Sequence, residues 1–151
     1  MRDFLAIAAT VALSAAAYGL DAAWQYDSPC AVRCLPAVID CDGNGTPDVV
    51  FPTLYDGSVR CVDIHGALLR QQSVDAWIPG NIAVSENARL MAFEDFSGRI
   101  TVRDPLGASG TAISMEGRPL IEGGLCVADI DGDGRSEIVT VRQNGMLGVF
   151  D

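Results

Sequence analysis

From residue 37 onward the chain is built of short runs in which apolar positions alternate with polar or small ones, broken by Asp-Gly, Ser-Gly or Asn-Gly pairs. Alternation with a period of two sends successive side chains to opposite faces of a strand, and the glycine pairs suit tight hairpins. The pattern predicts a first unit of Ala37-Val38-Ile39, Asp48-Val49-Val50, the turn Asp56-Gly57, Val59-Arg60-Cys61-Val62-Asp63 and a fourth strand at Ala67-Leu68-Leu69-Arg70. A middle unit follows with Ile82-Ala83-Val84, Leu90-Met91-Ala92-Phe93, Ser97-Gly98, Ile100-Thr101-Val102-Arg103-Asp104 and Gly110-Thr111-Ala112-Ile113. A last unit has Cys126-Val127-Ala128, Glu137-Ile138-Val139-Thr140-Val141, Asn144-Gly145 and Leu147-Gly148-Val149-Phe150-Asp151. No amphipathic helix is predicted after the N-terminal segment.

The first and last units are copies of one another. Asp40-Cys41-Asp42-Gly43-Asn44-Gly45-Thr46-Pro47-Asp48 aligns with Asp129-Ile130-Asp131-Gly132-Asp133-Gly134-Arg135-Ser136-Glu137 at a constant offset of 89. That offset spans two repeats of about 40 to 45 residues, the length of a four-stranded propeller blade. The middle unit keeps the strand order and lacks the acidic loop, with Ser85-Glu86-Asn87-Ala88 in its place. The expected fold class is all-β: three four-stranded β-propeller blades at about 30–72, 77–115 and 120–151, forming a partial propeller or half of a six-bladed ring. The last unit reaches Asp151 after three strands, and residues 22–27, with Ala23-Trp24-Gln25-Tyr26, are expected to supply the closing strand.

These residues carry a resemblance that covers roughly residues 22–151. Trp24-Gln25-Tyr26, Pro36-Ala37-Val38-Ile39-Asp40, the acidic loop, Asp56-Gly57-Ser58-Val59 and Asp63-Ile64-His65-Gly66-Ala67 together resemble the FG-GAP or VCBS repeat of integrin-type propellers and secreted bacterial proteins. The resemblance implies a β-propeller, Ca2+ in the acidic loops, and roles ranging from cell adhesion to carbohydrate binding. Short carboxylates at alternate positions converge in one concave turn, and glycine permits the reversal. The expected metal ligands are Asp40, Asp42, Asn44, the carbonyl of Thr46 and Asp48 in the first loop. In the last they are Asp129, Asp131, Asp133, the carbonyl of Arg135 and Glu137. The last loop offers four side-chain charges and the first only three, so the first should bind more weakly. An EF-hand opens similarly but needs an acidic twelfth residue and a following helix, whereas here that position is Phe51 or Thr140 in a β-rich run.

The N-terminus reads as an export signal. Residues 4–13 are apolar, and Ser14-Ala15-Ala16-Ala17 offers a small-residue cleavage site, so residues 1–17 are expected to be removed. The run is shorter than the ~20 residues of a membrane span, and no later stretch approaches that length. A secreted, extracellular or periplasmic location follows, where calcium is abundant and thiols pair. Twenty acidic against ten basic residues give a net charge of −10, which repels phosphate backbones and anionic lipid and argues against a nucleic-acid partner. All ten basic residues are Arg, which excludes a Schiff-base lysine and a phosphate-cradling P-loop lysine.

The remaining chemistry-bearing residues have plainer readings. The five cysteines, Cys30, Cys34, Cys41, Cys61 and Cys126, are odd in number. A local Cys30–Cys34 disulfide is expected, with Cys61 and Cys126 as buried thiols in strands. His65, the single histidine, sits in a turn, and no G-x-S-x-G elbow accompanies it. Glu86, Glu94, Asp95, Glu116 and Glu122 fall in loops with no recognisable catalytic context. Trp24 and Trp77 are expected between blades rather than on a sugar. The leading reading is a secreted, calcium-binding, non-catalytic propeller module for binding or adhesion, with an extracellular protein or glycan as ligand. Closure is expected from a homodimer or from additional blades of a longer chain. The rival reading is a segment of a calcium-dependent, polysaccharide-lyase-like enzyme.

Overall fold

The computed structural model describes residues 23–74, 76–85, 90–105, 107, 110–119 and 124–151. The signal expected at residues 1–17, the Glu86-Asn87-Ala88 loop and Glu122 lie outside the described residues. Among the described residues, eleven strands form three antiparallel sheets. The first contains β1 (Ala37–Ile39), β2 (Asp48–Thr53), β3 (Ser58–Val62) and β4 (Leu68–Ser73) in sequential order. The second contains β5 (Ala83–Val84), β6 (Met91–Glu94), β7 (Arg99–Arg103) and β8 (Gly110–Ser114), ordered the same way. The third has three strands, β9 (Leu125–Ala128), β10 (Glu137–Val141) and β11 (Leu147–Phe150). The strands fall where the alternation predicts them, including the fourth strands β4 and β8, and the third sheet has three strands where a four-stranded unit is expected.

Period-two alternation decides which side chains face which sheet. On β6, Met91 and Phe93 join the core shared with the first sheet, which also contains Ile39, Cys41, Val50 and Val59. The alternate residue Ala92 turns the other way, into a second core with Ile100 of β7 and Ile138 of the third sheet. One strand thereby feeds two interfaces, as a blade in a stack must. The first strands run close together, β1 beside β5 and β5 beside β9, so the sheets are arranged face to face around their inner strands. Pro52 is tolerated in β2 because the pairing with β1 ends at Ala37 opposite Val50, so its missing N–H removes no ladder bond there.

The segment preceding β1 departs from expectation. Residues 24–28 form no strand, and Trp24 and Tyr26 pack on the outer face of the first sheet instead of extending the third. The Trp24 indole lies so close to Gly66 that a Cβ there would come within 2.8 Å of it, and Gly66 has φ of 81°. Tyr26 meets Phe51 edge-on with ring centroids 5.8 Å apart. Leu54 N–H donates to the Ala31 carbonyl at 2.9 Å and fastens the segment. The physical reason is area: Val49, Phe51 and Val62 present an apolar sheet face, on which two aromatic rings bury more surface than along a strand edge. The rings and the sheet face line an open groove of about 290 Å3.

Candidate metal centres

The two acidic loops fold by the same hydrogen-bond scheme. In the first, Asp40 Oδ1 accepts from Gly43 N at 2.8 Å and Oδ2 from Gly45 N at 2.7 Å. In the last, Asp129 Oδ1 accepts from Gly132 N at 2.7 Å and Oδ2 from Gly134 N at 2.9 Å. Asn44 Oδ1 takes the N–H of Thr46, and Asp133 Oδ1 that of Arg135. At the strand end, Asp48 Oδ2 accepts from Cys41 N at 2.9 Å and Glu137 Oε2 from Ile130 N at 2.8 Å. Gly45 and Gly134 have φ of 84° and 87°, a conformation that side-chain-bearing residues rarely adopt.

This scheme draws three carboxylates together in each loop. Oxygens of Asp40, Asp42 and Asp48 lie within 4.8 Å of one another, as do those of Asp129, Asp131 and Glu137. Asp133 falls outside its carboxylate group and, like Asn44, holds the loop backbone two residues on. The donor set is all oxygen, which suits hard cations such as Ca2+. Asp48 shows the fit most directly: it is 1% exposed, and its Oδ1 has no hydrogen-bond partner. Burial, with the neighbouring charges of Asp42 and Asp40, raises its carboxyl above the ordinary value. Asp40 is held below that value, chiefly by the Gly45 N–H. A cation on these oxygens would offset the repulsion and give Asp48 Oδ1 a partner.

Other candidates are accounted for by packing. His65 is an exposed turn residue whose N–H, with that of Ala67, bonds Asp63 Oδ1. Asp95 caps its own hairpin by accepting from the N–H groups of Ser97 and Arg99. Glu94 is not in a loop: it ends β6, is buried, and forms an ion pair with Arg142, which follows β10. Cys126 is exposed rather than buried, because its side of β9 faces away from the second sheet. The Cys30 and Cys34 thiols are unlinked, and Cys34 Sγ contacts the Pro52 carbonyl at 3.5 Å. Two features escaped sequence reasoning. Arg60 on β3 is 2% exposed and reaches Asp56 and Thr53 Oγ1, each at 2.6 Å. The signal for it was an arginine inside an apolar strand, Ser58-Val59-Arg60-Cys61-Val62. The other is an exposed aromatic ridge in which Trp77 meets Tyr55 and Phe96 edge-on, with centroids 5.8 and 6.1 Å apart. Trp77, expected between blades, is 55% exposed.

No family model and no curated protein matches the chain. Among solved structures, it superposes on BamB from Moraxella catarrhalis with a TM-score of 0.59 at 10% identity, covering 78% of this chain and 31% of that one. It superposes on BBS1N, in a structure described as a complex with ARL6DN, with a TM-score of 0.60 at 14% identity, covering 81% of this chain and 37% of that one. The chain thus spans about a third of the length of the structures it matches, and both are β-propellers. At such identities the likeness concerns fold alone, and with three stacked antiparallel sheets and no helix among the described residues the chain is an all-β segment of β-propeller architecture.

Proposed function

We propose that this segment is a calcium-stabilised propeller module of the FG-GAP/VCBS kind, exported from the cytoplasm and acting by binding rather than catalysis. The observation that carries the reading is the loop geometry repeated from Asp40 to Asp48 and from Asp129 to Glu137, each drawing three carboxylates together. Such clusters repel without a cation, so calcium stabilises the folded state by mass action. The Tyr55–Trp77–Phe96 ridge gives the module an exposed contact surface of the residue types that anchor protein or glycan ligands. In place of a free carboxylate pair, Glu94 is neutralised by Arg142 and Asp95 is engaged by its own turn. Among the described residues, no helix is long and apolar enough to cross a membrane.

Closure rests on what covers the third sheet. Cys126, Val139, Val141, Leu147 and Val149 share its outer face, and β11 is an edge where β4 and β8 complete the other sheets. Further blades of a longer chain, or a second copy, would bury that face. The test of the metal is thermal unfolding: calcium should raise the melting temperature, a chelator should lower it, and Asp131→Ala should hurt more than Asn44→Ala. Coincident curves with calcium and chelator would overturn the reading. Binding is tested on a glycan array and with candidate extracellular proteins, Trp77→Ala being expected to weaken any hit. Depolymerisation of acidic glycans by the purified chain would establish the lyase-like alternative instead.

A further inference from the structure

Cys41 and Cys61 are 4% and 5% exposed and lie in the same core, between the first and second sheets. Cys41 sits inside the first acidic loop, between Asp40 and Asp42, while Cys61 is on β3 opposite Val50. Their sulfurs and a carboxylate oxygen of Asp48 all lie within 4.8 Å of one another. Two buried, unlinked thiols this close, facing one core from two chain segments, admit two chemistries: a soft-metal site or a disulfide. A zinc ion takes four donors in a closed site. The small hollow beside these sulfurs is lined by Val50, Val59, Met91, Pro105 and Gln72, and by the guanidinium-bearing Arg70, which disfavours a cation. A disulfide needs no further donor: it asks that the sulfurs close from within 4.8 Å to about 2.05 Å, by side-chain rotation together with adjustment of the loop that carries Cys41.

We infer that Cys41 and Cys61 form a disulfide that braces the first acidic loop against β3. Its formation consumes a small-molecule or protein disulfide: the two thiols lose two protons and two electrons, the S–S bond forms between Cys41 and Cys61, and the oxidant leaves as two thiols. Because both sulfurs are buried, exchange takes place while the blade is open, during folding. The last unit has Ile130 and Phe150 at the corresponding positions, so only the first loop carries the brace. That loop is the one with fewer carboxylates. Cys41 N–H already holds Asp48, so fixing Cys41 to β3 fixes Asp40, Asp42 and Asp48 relative to one another. The effect on calcium rests on the proposed function; the disulfide does not.

The test is to refold the full chain in oxidised and reduced glutathione, block remaining thiols with N-ethylmaleimide in denaturant, and map peptides by mass spectrometry. The expected result is a peptide joining Cys41 to Cys61 and a melting temperature about 10 °C above that of the reduced protein, from the constraint on the unfolded chain. Cys61→Ser should abolish the crosslinked peptide and the gain. With Cys30, Cys34 and Cys126 changed to Ser, the remaining pair should still crosslink. Calcium affinity of the first loop should rise several-fold on oxidation. Alkylation of both Cys41 and Cys61 in oxidised, folded wild-type protein overturns the inference, as does pairing of either with another cysteine or zinc retained on both thiols. A Cys41–Cys61 crosslink in protein indifferent to calcium would leave the disulfide standing and remove the calcium reading alone.

Discussion

At the scale of single residues, the molecule stores opposing electrostatic terms in its loops. Asp48 is buried beside two other carboxylates, and its raised folded-state pKa means that its charge costs stability when no cation is present. Asp48→Asn should therefore leave the calcium-free protein at least as stable as wild type while shrinking the calcium-induced rise in melting temperature. Melts of both proteins in chelator and in calcium check this, and a variant destabilised equally in the two conditions would contradict it. Asp56 behaves oppositely. Burial acts to raise its carboxyl, but hydrogen bonds from Arg60 and Thr53 prevail and hold it below the ordinary value of 3.8. Its contribution is complete above that value and is lost as pH falls through the lower folded one. Asp56→Asn should flatten that part of the acid-unfolding profile. It should also cost about 1–3 kcal/mol near neutral pH, measured by urea unfolding, because Arg60 stays buried without its counter-charge.

At the scale of elements, the contact between the second and third sheets combines a small apolar core with a buried ion pair. Ala92, Ile100 and Ile138 form the core, while Glu94 at the end of β6 faces Arg142 beyond β10. Arg142 also donates to the Gly98 carbonyl at 3.0 Å, tying it to the hairpin between β6 and β7. Glu94→Gln should cost about 3–5 kcal/mol, since it strands a buried guanidinium. Adding Arg142→Met should recover much of that loss, because the pair is then replaced by apolar volume. Denaturant titration of the two singles and the double separates this coupling from simple loss of packing; additive losses would show that the two residues act independently. Strand order was legible in the alternation and in the Gly57, Gly98 and Gly145 turns, all of which have positive φ. The ion pair was not, because Glu94 and Arg142 lie 48 positions apart and nothing local marks them as partners.

At the scale of the whole molecule, the two end faces are treated differently. The first sheet's outer face is covered by residues 24–32, with Trp24 and Tyr26 as its principal rings. On the third sheet the corresponding surface leaves Leu147 64% and Val149 48% exposed. If a second copy covers that face, Val149→Asp should lower self-association in sedimentation experiments without lowering the melting temperature of the monomer. A monomer whose behaviour is unchanged by the substitution would favour further blades of a longer chain. Trp24→Asp belongs to a different test, since its indole rests on Gly66 of its own first sheet: it should destabilise the monomer itself.

The sequence by itself determined whatever depends on local spacing. Alternation set the strands, glycine pairs set the hairpins, and alternate carboxylates with glycine at the reversing positions set the two loops, whose matching hydrogen bonds follow from matching residues 89 positions apart. Tertiary structure decided what depends on which surfaces meet. Trp24 and Tyr26 carry a β-compatible pattern, yet an apolar sheet face offers them more buried area than a strand edge. Cys126 sits in a strand as apolar in composition as that of Cys61, but only Cys61 lies on a face that another sheet covers. The exposure of Trp77, the pairing of Glu94 with Arg142 and the meeting of Cys41 with Cys61 are likewise long-range facts. Period two says that a strand has two faces, and only the packing of the sheets says which of them stays dry.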